Sequence, residues 1–80
     1  MPKLSLDEKE IERVICGFKE VFKEALSGGK KVGELLSMIV GADASVEDKV
    51  LAAYLLGRGV GDQGVSLFKY VVYIKAVCES

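Results

Sequence analysis

Apolar and charged side chains alternate along residues 5–26 with the period of an α-helix. The charged residues keep to one side, and the apolar ones form a single stripe on the other side: Ile11, Val14, Ile15, Phe18, Phe22 and Ala25. Ser5 followed by Glu8 is a capping-box signature at the start. The run Ser27-Gly28-Gly29 is typical of a helix end. The pattern therefore predicts one continuous helix over this stretch.

Two further helices are predicted in the middle of the chain. Residues 30–40 carry one apolar face, made of Val32, Leu35, Leu36, Ile39 and Val40. Ser45 is a typical N-cap, with Asp48 at N3, for a third helix that we expect to end at Gly57. Beyond Lys49 the third helix is apolar almost all round, which predicts that most of its sides are buried.

Residues 65–78 fit two kinds of structure. As a strand, they alternate between two faces and are rich in β-branched and aromatic residues, and residues 61–64 could form the hairpin turn with Gly64 left-handed. The partner strand, residues 58–61, would be short and half glycine. We favour a helix, in which Lys75 extends to water near the C-terminus, where a cation is favourable. The predicted fold is all-α, a small bundle of about four helices, and the alternative is three helices with a C-terminal β-wing.

The amino-acid composition excludes more kinds of catalytic and metal chemistry for this chain than any motif indicates. Its 80 residues form one domain, with a formal net charge of −1 and no histidine, threonine, asparagine or tryptophan. The usual general base and the commonest metal ligand are therefore missing. The letters GxGxxG occur at residues 59–64, but no predicted strand precedes them, and we interpret them as a connection between two elements. We expect no catalytic residues, no cofactor and no metal site.

The two cysteines, Cys16 and Cys78, lie far apart in the sequence and form no CxxC pair. The N-terminus has no apolar signal region, and residues 50–57, the longest apolar run, are too few to span a membrane. We therefore expect a cytoplasmic protein without membrane contact. The scarcity of amides beside many Lys and Glu residues indicates a thermophile, where intracellular disulfides are common. A Cys16–Cys78 disulfide, within or between chains, is accordingly a candidate.

Residues 32–57 resemble the helix-turn-helix modules of winged-helix regulators in their hydrophobic spacing, with Gly57 where the recognition helix would end. The resemblance covers about a third of the chain and implies a DNA-binding regulator as an alternative function. In that register the residues facing DNA are Ala44, Ser45, Glu47, Asp48, Leu51, Ala52 and Leu55. They lack the Arg, Lys, Asn and Gln side chains that contact bases and phosphates, so we expect nucleic acid less than protein.

Surplus apolar surface is the main positive indication of function. Cys16 and Gly17 make a small neutral gap among charged residues, which would let the backbone of the C-terminal segment or of a second subunit approach closely. The third and last segments carry apolar residues beyond a single stripe, and such surface usually marks an interface. The predicted interface consists of Cys16, Gly17, Leu51, Leu55, Leu56, Tyr70, Ile74 and Val77. We expect a non-enzymatic interaction or assembly module that forms a homodimer or higher oligomer, and another protein is a second possible partner.

Overall fold

The computed structural model describes residues 7–80, which contain five α-helices and no strand. The helices are α1 (Glu8–Gly17), α2 (Lys19–Ser27), α3 (Val32–Val40), α4 (Val46–Gly61) and α5 (Val65–Tyr73). A π-helical turn, Ile74–Cys78, continues α5. The all-α prediction is confirmed, with five helices in place of about four. The β-wing alternative is wrong, since the segment proposed for it is helical.

A break at Phe18 accounts for the extra helix, because the stretch predicted as one helix is two. Phe18 leaves helical geometry, with φ −116° and ψ 29°, yet its N–H still donates to the Val14 carbonyl at 2.9 Å. Gly17 precedes it and has a low helix propensity. The Phe18 side chain is buried in the core. The break lets α1 pack against α4 while α2 packs against α3 and α5, which one straight helix could not do.

Two helix starts show how local sequence sets the element boundaries. Asp7 caps α1 by accepting from the Lys9 N–H at 3.1 Å, while the predicted cap, Ser5, lies outside the described residues. The predicted cap of α4 is confirmed, since the Asp48 N–H donates to the Ser45 hydroxyl oxygen at 3.2 Å. Each cap satisfies a backbone donor that has no partner within its helix.

The end of α4 lies further along the chain than predicted. The helix continues through Gly57 to Gly61 and ends in a Schellman motif. Its two diagnostic bonds are present: the Gly64 N–H donates to the Gly59 carbonyl at 2.8 Å, and the Gln63 N–H to the Val60 carbonyl at 3.3 Å. Gln63 takes the left-handed position, with φ 61°. The predicted glycine-rich joint is therefore mostly helix, followed by a three-residue turn.

The core is formed where α2, α4 and α5 meet, and α1 and α3 close its sides. Phe22 and Ile74 are fully buried, and Phe22 packs edge-on against Tyr70 with ring centroids 5.2 Å apart. Leu55 and Leu56 of α4 are buried in the same cluster. Helix α4 thus contributes its inner face to one continuous core.

Candidate functional site

Both faces of helix α4 are apolar, but one is buried and the other is exposed. Its inner face is buried in the core and consists of Leu51, Ala52, Leu55, Leu56 and Gly59. The opposite side of the helix points away from the protein. Its residues, which we call the α4 outer face, are Val46, Val50, Ala53, Tyr54, Gly57, Val60 and Gly61, all exposed except Ala53, which is partly buried at the border of the core. The prediction that most sides of this helix are buried is wrong for a single chain, because the other helices cover only the inner face.

The α4 outer face presents large apolar side chains to solvent. Val46 is 72% exposed, Val50 60% and Tyr54 49%. These three residues are spaced four apart, so their side chains form one line along the helix. All four charged residues of α4 lie off this face. An exposed apolar patch without charges is typical of a surface that another molecule covers.

Two glycines on this face have no packing role within the chain. A Cβ atom built on Gly57 or Gly61 would meet no other atom within 4 Å. A glycine inside a helix costs about 1 kcal/mol relative to alanine. Gly59 differs, because the Leu67 side chain fills the space beside its Cα. Only Gly59, of the three, is therefore explained by contacts inside the chain.

Charged residues border the α4 outer face, and two of them have no ionic partner among residues 7–80. Glu47 and Arg58 lie along the same edge and form no ion pair in this part of the chain. Asp48 turns toward α1, where its carboxylate accepts from the Arg13 guanidinium at 2.7 Å. The Lys49 ammonium donates to the Val40 carbonyl at 2.6 Å and so satisfies the end of α3. Glu47 and Arg58 therefore remain available for a partner.

The structure revises the list of predicted interface residues. Leu51, Leu55, Leu56 and Ile74 are buried inside a single chain, so they are not accessible to a partner. The three leucines pack inward because α1, α2, α3 and α5 all contact the side of α4 that the interface prediction left open. Tyr70 is partly buried against Phe22, and Val77 remains exposed. The sequence prediction thus took core residues of α4 for its surface.

Cys16 and Gly17 lie beside the C-terminal segment of the same chain. Cys16 and Cys78 form a disulfide, with Cα atoms 5.5 Å apart, that joins the end of α1 to the π-helical turn. The Lys23 ammonium donates to the Glu79 carboxylate next to it. This hydrogen bond holds the pKa of Glu79 below its ordinary value and the pKa of Lys23 above its own. Covalent and ionic contacts thus attach the C-terminal segment to α1 and α2.

The helix-turn-helix register is not compatible with the packing. Leu51, Ala52 and Leu55, which it turns toward DNA, lie in the core. Asp48 is paired with Arg13. The helix side that does face solvent is the α4 outer face, which has no basic residue. Three of the residues assigned to DNA contact are therefore buried, and of the others only Ser45 and Glu47 are exposed.

Residues 7–80 include no group of three or more Cys, Asp or Glu side chains placed to hold a metal ion. No helix in this part of the chain combines the length and the apolar character that crossing a membrane requires. A groove of about 220 Å³ between α1 and α5 has walls formed by Ile11, Ile15, Tyr70 and Tyr73. Burial raises the pKa of Tyr73, and the nearby Glu12 carboxylate raises it further.

Comparisons of this chain with protein-family models, with curated proteins and with solved structures found no match.

Proposed function

We propose that this protein is a non-enzymatic interaction module that self-associates through the α4 outer face. The observation that carries the proposal is the charge-free side of the longest helix, which leaves Val46, Val50 and Tyr54 largely in water. A fully buried side chain of this size contributes about 1.5–3 kcal/mol. Covering the face would therefore recover free energy that the single chain leaves unused.

Self-association is supported by the size of the protein as well as by its surface. A domain of 80 residues buries a small core, and small domains often gain stability from a partner subunit. Every copy of the chain carries the same outer face, so each copy can serve as the partner of another. A symmetric dimer uses such a shared patch on both subunits.

Sedimentation equilibrium over micromolar to millimolar concentrations tests the proposal. The wild type should show a concentration-dependent mass above that of one chain, and Val50→Lys should shift it to the monomer by placing a charge on the α4 outer face. The matched control is Val72→Lys on α5, where the valine is 51% exposed, against 60% for Val50. This substitution should leave the association unchanged. Circular dichroism should show the same helix content in all three proteins.

A wild type that stays monomeric throughout this range would contradict the proposal. So would an association that Val50→Lys leaves unchanged and Val72→Lys abolishes, because the contact would then lie on α5.

A further inference from the structure

We infer that two copies of α4 pair side by side in antiparallel orientation, Val46 of each facing Gly61 of the other. The inference rests on the proposed function and specifies the partner surface as the same α4 outer face of a second copy. Two features support it independently: the distribution of large and small side chains along the face, and the placement of charges on its edge.

Large and small residues occupy opposite halves of the α4 outer face. The first half carries Val46 and Val50, and the second half carries Gly57 and Gly61. Antiparallel pairing sets Val50 of one copy against Gly57 of the other, so each valine fills the space left by a glycine. Parallel pairing would set valine against valine and leave a gap between the glycines. Helices approach closely where one of them presents small residues to its neighbour.

The order of these residues also fixes where the two helices cross. With Val46 opposite Gly61 and Val50 opposite Gly57, Ala53 and Tyr54 lie at the two-fold axis, where the small side chain of one copy meets the large one of the other. This arrangement accounts for both uncovered glycines. Each glycine lowers the stability of the helix, but it also allows a second helix to approach closely.

Charges on the edge of the face are complementary in the same arrangement. Glu47 lies near the start of α4 and Arg58 near its end, on one edge, and neither has an ionic partner among the described residues. A two-fold axis through an antiparallel pair brings Glu47 of one copy beside Arg58 of the second copy, and the reverse pair forms as well. Parallel pairing would instead put the two copies of this edge on opposite sides of the contact, so that Glu47 and Arg58 could not pair. Paired charges of this kind set register and orientation.

Engineered cysteines distinguish the orientations while the native Cys16–Cys78 bond stays intact. In an antiparallel pair the two copies of residue 53 lie beside the axis, so Ala53→Cys should form a disulfide-linked dimer when glutathione disulfide oxidises the two thiols. The two copies of residue 46 are separated by about 22 Å at 1.5 Å per residue. Val46→Cys should therefore remain unlinked, because bridged cysteines have Cα atoms within about 7 Å. Val72→Cys is the control on α5.

Efficient cross-linking of Val46→Cys would show a parallel pair and overturn the inference, while self-association would stand. A wild type that is dimeric by sedimentation, with Ala53→Cys no more cross-linked than Val72→Cys, would also overturn it, because the contact would then lie on another face. A wild type that is monomeric at every concentration would overturn the proposed function itself. The two failures are therefore distinguishable.

Charge reversal tests the predicted ion pairs. Glu47→Arg and Arg58→Glu should each raise the dimer dissociation constant by about 3- to 10-fold, since each replaces two attractive edge contacts with repulsive ones. The double variant restores opposite charges across the interface and should return the constant to near the wild-type value. Lys30→Glu, a charge reversal at an exposed residue in the link between α2 and α3, is the control. A double variant as weak as the two single variants would overturn the pairing.

Discussion

The Leu67 side chain of α5 fills the space beside the Cα atom of Gly59 in α4, which only a glycine at that position leaves open. A Cβ atom built on Gly59 would lie 2.4 Å from the Leu67 Cγ and 2.6 Å from its Cδ2. Both residues are buried, so neither can turn toward solvent. The absence of a methyl group on Gly59 therefore sets how closely α5 packs against α4.

Gly59→Ala should destabilise the protein by about 1–3 kcal/mol, because the added methyl group forces α4 and α5 apart in a packed core. Gly57→Ala, two positions earlier and facing open space, is the matched control. It should stabilise the monomer by up to about 1 kcal/mol through helix propensity alone. Guanidinium unfolding at low protein concentration measures both. Equal effects of the two substitutions would contradict the close contact.

Gln63→Gly should stabilise the fold by about 1 kcal/mol. Gln63 has a positive φ, 61°, at the residue that ends the Schellman motif, and side chains other than that of glycine are strained there. Gly64→Ala is the opposite test, because Gly64 has φ 89° and should lose stability on substitution. Thermal unfolding of the two variants should move in opposite directions. A destabilised Gln63→Gly would show that the glutamine side chain contributes more than the strain costs.

Asp62 should make the stability of the last helix sensitive to acid. Its carboxylate accepts from the Ser66 hydroxyl and from the Ser66 N–H at 3.1 Å, and these bonds lower the pKa of Asp62 below its ordinary value, 3.8. The stabilisation is present above that ordinary value and is lost as the pH falls through the lowered pKa. The stability difference between wild type and Asp62→Ala should therefore shrink in acid.

A direct measurement follows the Asp62 carboxyl carbon by NMR during acid titration. The pKa of Asp62 should lie below 3.8 in the wild type and move up toward that value in Ser66→Ala, because the hydroxyl donor is the largest cause of the shift. An unchanged pKa in Ser66→Ala would assign the shift to the backbone N–H groups.

The Cys16–Cys78 disulfide should contribute about 4 kcal/mol by restricting the unfolded chain, given that 62 positions separate the two residues. Replacing both cysteines with serine should lower the free energy of unfolding by about that amount. A reducing agent should have the same effect on the wild type and none on the double variant. Complete alkylation of both thiols in unreduced, unfolded protein would contradict the presence of the bond.

Local signals in the sequence predicted most of the secondary structure, since each depends on neighbours in the chain. Ser45 with Asp48 marks a helix start through a bond that closes within four residues. The break at Phe18 carries no such signal, because Phe18 continues the apolar stripe of the segment without a change in period. It is the burial of Phe18 and the separate packing of α1 and α2 that favour two helices there.

The interface residues could not be assigned from sequence for a related reason. A helix that is apolar all round has no polar side to show which face the rest of the chain covers. The packing of the other helices decides this, and for α5 it depends on the close contact between Gly59 and Leu67, which the hydrophobic pattern of α4 does not show. The spacing of Val46, Val50 and Tyr54 is visible in the sequence, but it marks an exposed line only because Leu51 and Leu55 are buried.

The disulfide also changes the connectivity of the molecule. With Cys16 joined to Cys78, the residues between them form a closed ring that contains four of the five helices. A protease that cuts once in this ring, for example after Lys30 in the exposed link between α2 and α3, produces no separate fragments until the bond is reduced. Cleaved copies would keep all their helices on one covalent particle, so backbone damage in this region would leave the subunit whole.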